Sequence, residues 1–382
     1  MLALVNARPL VEGRFLSDQA VVIAGGRIAA VMPEAELAPS VERRDLGGTR
    51  LVPGLIDTQV NGGGDVMFND APSVESIRRI GAAHARFGTT GFLPTLISDD
   101  LDVIRAGIAA VDRAIVEGVP GVLGIHVEGP FISTARKGIH DADKIRSLDA
   151  EGIAVLTSLK RGCTLVTLAP ELVGPEAIGR LAAAGVIVSA GHTAGSYAEV
   201  TAAVDAGLTG FTHLFNAMTQ LGSREPGAVG AGLAAETAWC ALIVDGVHVS
   251  PVTLRLALRC KPANRFMLVT DAMPPLGGSN DRFSISGREI RAVDGRLVDE
   301  TGTLAGADLD MIAAVRNAHE MLGLPIETAF AMGSANPAAF LGLGGEVGQI
   351  APNYRASLIT VTEDWRVSAL WIDGVEQRLA TA

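Results

Sequence analysis

Two short apolar runs lead into histidines: VIVSAGHT reaches His192 and GFTHLFN reaches His213. In a parallel α/β fold, residues just past the carboxyl end of a strand face the functional site rather than the core. Two such histidines one strand apart are candidates to hold one metal ion. A third donor stands in VLGIHVEG, which contains Glu128. One carboxylate oxygen and two imidazole nitrogens form a three-ligand set that leaves a position open for water, as a catalytic zinc requires. Asp271, in LVTDAMPP, exposes a lone carboxylate between an apolar run and a proline-rich turn. A carboxylate there can accept a proton from an activated water and later hand it to a leaving group.

Other polar residues fall at comparable positions. Gln59 and Asn61 follow the first apolar strand of the series, and Asp245 and His248 follow the seventh. His126 lies two residues from Glu128 on the same strand face, where it touches the site or orients a ligand. His84 and His319 sit in helical stretches away from strand ends and read as structural. Gly62 to Gly64 opens no helix, so it reads as a flexible loop rather than a nucleotide cradle.

The elements that must position these residues follow from periodicity. Runs such as GLIDTQVNG, GFLPTLIS, VLGIHVEG, CTLVTLAPE, VIVSAGHT, GFTHLFN, WCALIVDGVH and RFMLVTDAM alternate with amphipathic helical candidates. Eight strands, each with a crossover, predict an α/β fold of the (β/α)₈ TIM-barrel type over residues 53–347. RFSISGREIRAVDGRLVDETG, at about 281–300, predicts a hairpin insert with an Asp294-Gly295 turn. Residues 1–52 and 348–382 share a different texture of short strands and turns, including Gly25-Gly26, and predict one small β-sandwich built from both chain ends.

Composition narrows the partners. The chain has 382 residues, 48% of them hydrophobic, and a formal net charge of −11. It is globular, and the acidic balance argues against nucleic acid and anionic membrane surfaces as partners. Three cysteines, Cys163, Cys240 and Cys260, are too few and too dispersed for a disulfide framework or a cysteine zinc site. The start of the chain lacks the pattern of a signal peptide, so a cytoplasmic location is expected.

The motifs PGLIDTQVNG, HVEGPFIS, ARKGIH, LAPE, SAGHT, THLFNAM, REPG, DGVH, LVTDAMPP and GTLAGA, in this order, closely resemble the N-acetylglucosamine-6-phosphate deacetylase family of the amidohydrolase superfamily. The resemblance implies a metal-dependent hydrolase of amino-sugar catabolism or cell-wall recycling. It implies Glu128, His192 and His213 as metal ligands and Asp271 as catalytic acid/base. Ile139 and His140 would contact the sugar and acetamide, Asn216 and Ala217 the phosphate, and His248 with Leu304, Ala305 and Gly306 the rest of the substrate. Arg224, in the loop QLGSREPG, would reach the phosphate from a neighbouring subunit, implying a homodimer or a larger assembly such as a tetramer. An arginine fork and backbone N–H groups suit a phosphomonoester independently of any resemblance.

One departure from the superfamily matters. Two-metal members carry His-x-His on the first strand, where this chain has Gln59-Val60-Asn61, and the superfamily's bridging lysine of strand four is replaced by Ala169-Pro170-Glu171. Neutral amides are poor ligands beside imidazole, so Gln59 and Asn61 mark a vestigial second-metal position and one divalent ion per subunit is expected. Zinc suits the donors, and iron, cobalt or manganese fit the same set. Two alternatives stay open: a deacetylase for the galacto epimer, and a non-catalytic phosphosugar-binding regulator.

Overall fold

The computed structural model describes residues 1–379. Its centre is an eight-stranded parallel sheet in strict chain order: β1 (Leu55–Val60), β2 (Thr89–Leu96), β3 (Gly124–Glu128), β4 (Cys163–Leu168), β5 (Ile187–Ala190), β6 (Gly210–Phe211), β7 (Trp239–Leu242) and β8 (Phe266–Leu268). The strands read as apolar runs because both faces are covered, by the barrel interior and by surrounding helices. Closure between β1 and the end of β8 rests on the bridge Val60–Ala272 and on the Asp271 N–H donating to the Gln59 carbonyl, 3.1 Å. The seam of the barrel therefore lies beside Asp271. This is the TIM barrel expected from the alternation of elements.

Inside the barrel, beneath the strand ends, hydroxyls replace aliphatic packing. Ser189 Oγ meets Thr212 Oγ1 at 2.7 Å, Thr212 meets Thr167 at 2.6 Å, and Thr167 meets His126 Nε2 at 2.7 Å. Each hydroxyl of this Ser189–Thr212–Thr167 relay has a partner, the condition on which burial is tolerated.

Both chain ends build sheets outside the barrel. Residues Leu2–Val5, Gln19–Ala24, Arg27–Pro33 and Glu42–Asp45 form one sheet. Arg8–Val11, Arg14–Phe15 and Arg50–Pro53 join Leu358–Val361, Val367–Ile372 and Val375–Glu376 in a second. Leu4, Val21 and Ile23 of the first pack with Leu51, Leu358 and Trp371 of the second in one buried cluster. Gly25 and Gly26, both at positive φ, turn the expected hairpin.

The insert after β8 is larger than the predicted hairpin. Arg282–Ile285, Arg288–Val293 and Arg296–Val298 form a three-stranded antiparallel sheet, with Ser286-Gly287 as a second turn beside Asp294-Gly295. The first strand lies inside the predicted segment, and the turn at Ser286-Gly287 separates it from the second. Its inner residues Ile285, Ile290 and Leu297 bury against Ile97, Ile139 and Met273 at the barrel mouth.

Glu128 is carried by β3, which approaches β4 without clearance. A Cβ on Gly124 would stand 2.0 Å from the Cys163 carbonyl oxygen, its register partner. Gly124→Ala is expected to cost about 3 kcal/mol or more of unfolding free energy, read from urea midpoints. A loss below about 1 kcal/mol would show that β3 and β4 separate freely.

Candidate active site

The strand ends deliver their polar residues through strained backbone. His192, His213 and Asp271 have φ of 49°, 32° and 54°, left-handed values that non-glycine residues adopt rarely and that cluster at functional sites. Each conformation turns the side chain over the barrel mouth instead of along the strand. A cavity of about 490 Å³ opens there, walled by these three residues, Glu128, His140 and His248.

Glu128 Oε1 lies 2.9 Å from His213 Nε2 and 3.3 Å from His192 Nε2, and the two Nε2 atoms are 3.2 Å apart. Burial alone raises the Glu128 carboxyl, yet hydrogen bonds and charge from both imidazoles hold it well below the usual range. Burial opposes a charged His213, and the Glu128 carboxylate outweighs it and raises that imidazole. These are two views of one interaction, an anion enclosed by rings that look for positive charge.

The triangle fits a small cation. With ligand bonds of about 2.1 Å, a tetrahedral zinc separates its donors by about 3.4 Å, near the two longer edges and somewhat wider than the 2.9 Å one. His192 Nδ1 lies 2.9 Å from the Arg136 carbonyl, to which it donates its proton, and this leaves the Nε2 lone pair facing the triangle. Glu128, His140 and His192 form another set, with donor atoms within 4.8 Å of one another. In that set His140 is the weaker member. Its Nδ1 accepts the Ser98 N–H at 3.2 Å and lies 2.8 Å from Ser98 Oγ. The proton of the neutral ring is therefore on Nε2, which makes it a donor into the cavity. Burial, then the neighbouring His192, pushes the His140 imidazole down to about 3 and keeps the ring neutral.

Gln59 and Asn61 hold carboxylates. Gln59 Nε2 donates to Glu128 Oε1 at 3.0 Å and to Asp271 Oδ1 at 3.1 Å, and Asn61 Nδ2 donates to Asp271 Oδ1 at 2.7 Å. Their own carbonyl oxygens have no partner among the described residues. Burial first, then the Glu128 charge, raises the Asp271 carboxyl to about 6. Below it, buried Asp57 accepts from Thr270 Oγ1 and from the Gln59 N–H at 3.1 Å, tying β1 to the residue before Asp271.

The remaining expected residues divide. His248 lines the cavity, its Nδ1 fixed by Asp245 Oδ2 at 2.6 Å. Asn216, Ala217, Ile139, Leu304 and Gly306 also line it. Ala305 does not: it is fully buried against the insert, with its N–H on the Leu297 carbonyl, so its expected substrate contact is corrected to a core position. Leu304 and Gly306 on either side line the cavity, Gly306 with a φ of 65°. Arg224 is exposed and outside the cavity of its own chain. His126 is held by Thr167 in the barrel interior, and burial pushes it down to about 4. His84 is buried with Nε2 on the Gly62 carbonyl, a structural role. Sequence reasoning missed Ser98 and the Arg136 carbonyl. A backbone carbonyl leaves no signature in sequence, whereas Ser98, close behind β2, was discoverable as a strand-end polar residue.

Comparison with known proteins follows this geometry. The Amidohydrolase family model matches residues 50–376, and a NagA composite domain model matches residues 1–51. The chain belongs to the amidohydrolase family. It is 41% identical to an N-acetylgalactosamine-6-phosphate deacetylase of Shewanella sp. (strain ANA-3), covering 98% of this chain and 95% of that one. It is 33% identical to an N-acetylglucosamine-6-phosphate deacetylase of Haemophilus influenzae, covering 97% and 98%. The crystal structure of N-acetylglucosamine-6-phosphate deacetylase from Pasteurella multocida superposes with a TM-score of 0.95 at 32% identity, over 98% and 99% of the two chains. The resemblance drawn from the motifs and the barrel with extra sheets are thus borne out. Among the described residues, no helix is long and apolar enough to cross a membrane.

The raised Asp271 carboxyl has a thermodynamic consequence. Its folded value is about 6 against an ordinary 3.8, so the unfolded chain releases the proton first and stability is lost as pH rises through that window. Gln59→Leu removes the donor between the two carboxylates and should cost the metal-free protein about 2 kcal/mol at pH 8. The deficit should shrink at pH 5, where Asp271 is protonated. Melting curves at the two pH values check this, and an equal deficit at both would contradict the bridging role.

Proposed function

We propose that the chain hydrolyses the acetamide of N-acetyl-D-glucosamine 6-phosphate to D-glucosamine 6-phosphate and acetate. One observation carries this reading: a cation-shaped donor triangle, a carboxylate with a raised proton affinity and an inward N–H donor meet in one cavity. Relatives of the chain are named for this reaction. Glu128, His192 and His213 would hold one divalent cation per subunit. The donors suit Zn2+, and Fe2+, Co2+ and Mn2+ are compatible. Such a cation, when bound, polarises the amide carbonyl and makes a water more acidic.

The side chains perform the proton work. Asp271 Oδ1 is occupied by the Gln59 and Asn61 amides, so Oδ2 accepts the proton as water attacks the acetamide carbon. His140 donates Nε2–H to the carbonyl oxygen as charge grows there. When the C–N bond breaks, Asp271 returns the proton to the departing amine. The water's hydroxyl ends on acetate, its proton ends on the sugar nitrogen, and Asp271 is regenerated.

Asn216 and Ala217 would bind the phosphate by backbone and side chain. Phe215 and Ala217, at φ of 82° and 49°, bracket a turn at the cavity wall in which the Asn216 N–H donates to the His213 carbonyl at 2.9 Å, so binding a phosphate there would draw on the Ala217 N–H or on a released Asn216 side chain. Arg224, unengaged by its own cavity, would complete the phosphate site of a neighbouring subunit in a homodimer. His248, Ile139, Leu304 and Gly306 would border the sugar.

A second reading has a specific observation behind it. The relative at 41% identity is named for the galacto epimer, whereas the gluco relative of Haemophilus influenzae stands at 33%. Acetate release from both epimers and from the unphosphorylated sugar tests the proposal. Turnover that requires the phosphate supports it, the ratio of kcat/KM between epimers names the substrate, and no release from any of them contradicts it. Asp271→Asn should retain Zn2+ binding and lose about 10³-fold in kcat. Unchanged turnover in that variant would remove Asp271 from the mechanism.

A further inference from the structure

Strand β4 delivers no donor to the triangle, yet its end is not idle. Ala169, just past Leu168, anchors to the Phe131 carbonyl through its N–H at 2.9 Å. The chain then makes one helical turn from Pro170, interrupted at Gly174 with φ 77°. That turn presents Glu171 sideways to the loop after β5. Glu171 Oε2 accepts from Thr193 Oγ1 at 2.5 Å, and Oε1 accepts from the Ala194 N–H at 2.7 Å. A first-turn carboxylate is ordinary for a helix, but here both oxygens serve the two residues that follow His192.

Glu171 is half-buried, and its Oε2 side is tightly packed. A Cβ on Gly195 would stand 3.0 Å from Thr193 Oγ1 and 3.1 Å from Glu171 Oε2. Gly195 instead gives its N–H to Thr193 Oγ1 at 3.0 Å. On the other side, the His192 carbonyl accepts the Ser133 N–H at 2.8 Å, and the Thr193 N–H reaches the Ala217 carbonyl at 3.1 Å. His192 therefore sits at φ 49° between fixed points. A left-handed residue persists only where its surroundings over-determine it.

We infer that Glu171 is a positioning residue: its carboxylate latches the Thr193–Ala194 turn and thereby holds the His192 imidazole at the donor triangle. The inference rests on His192 acting as a metal ligand. It gives the LAPE segment a task in place of the bridging lysine that strand four lacks. Partners that orient a ligand without touching the metal typically contribute 10- to 100-fold to metal affinity.

Zn2+ affinity of the full chain, measured by chelator competition, tests this. Glu171→Leu should weaken Zn2+ binding by about 10- to 100-fold, and Glu171→Gln, which keeps an acceptor for the Ala194 N–H, should recover most of it. A merely structural role would lower the melting temperature of the metal-free chain and leave Zn2+ affinity unchanged. Unchanged affinity in Glu171→Leu, or equal losses in both variants, would overturn the inference. Should Glu171→Leu not fold, Thr193→Val with Thr193→Ser as its rescue reads the same link. His192→Ala separates the two levels: undiminished affinity there means His192 is no ligand, whereas a loss there with unchanged Glu171→Leu means only the latch is wrong.

Discussion

Two buried carboxylates, Glu128 and Asp271, share one amide group, the Nε2 of Gln59. Burying like charges together is costly unless each is met by donors or by positive charge. The barrel mouth resolves this asymmetrically. Glu128 faces two imidazoles and is drawn strongly acidic, while Asp271 faces two neutral amides and is left raised to about 6. One carboxylate is thereby suited to stay charged beside a cation, and the other to exchange a proton near neutral pH. Replacing the superfamily's strand-one histidines with amides does not vacate the position. It exchanges ligands for hydrogen-bond donors, which in the proposed mechanism leaves Asp271 to carry the proton.

The same mouth concentrates backbone strain. His192, His213 and Asp271 all take left-handed conformations just past their strands, each of which costs about 1–3 kcal/mol in isolation. The hydroxyl chain inside the barrel, the Asp57–Thr270 tie at the seam and the insert packed on Ile139 give that strain a rigid base. The polar side chains at the barrel mouth are thus aimed by the fold itself.

Much of this was legible in the sequence. A polar residue ending an apolar run is a strong signal in a parallel barrel, and Glu128, His192, His213, Asp271 and His248 all gave it; all five line the same cavity. His140 was not legible from periodicity, because it lies in a loop and enters only through the motif resemblance. Its decisive feature, an Nδ1 that accepts from Ser98, depends on a contact 42 residues away in sequence. Ala305 lies between two cavity-lining residues but is packed into the cluster formed with the insert, a contact made by residues distant in sequence. The insert's extra turn at Ser286-Gly287 was readable as a Ser-Gly turn signal, but one Asp-Gly turn was enough to account for a hairpin. Gln59 and Asn61 were seen as lost ligands, and their donation to carboxylates needed coordinates.

The central claim is that Glu128, His192 and His213, and no other set, hold one ion. Anomalous diffraction from crystals of the Zn2+-loaded protein tests it most directly. The account predicts one peak per chain, bonded at about 2.0–2.2 Å to Glu128 and to the Nε2 atoms of His192 and His213, with Gln59 and Asn61 uncoordinated. A peak ligated by His140 in place of His213, or a second peak between Gln59, Asn61 and Asp271, would contradict it.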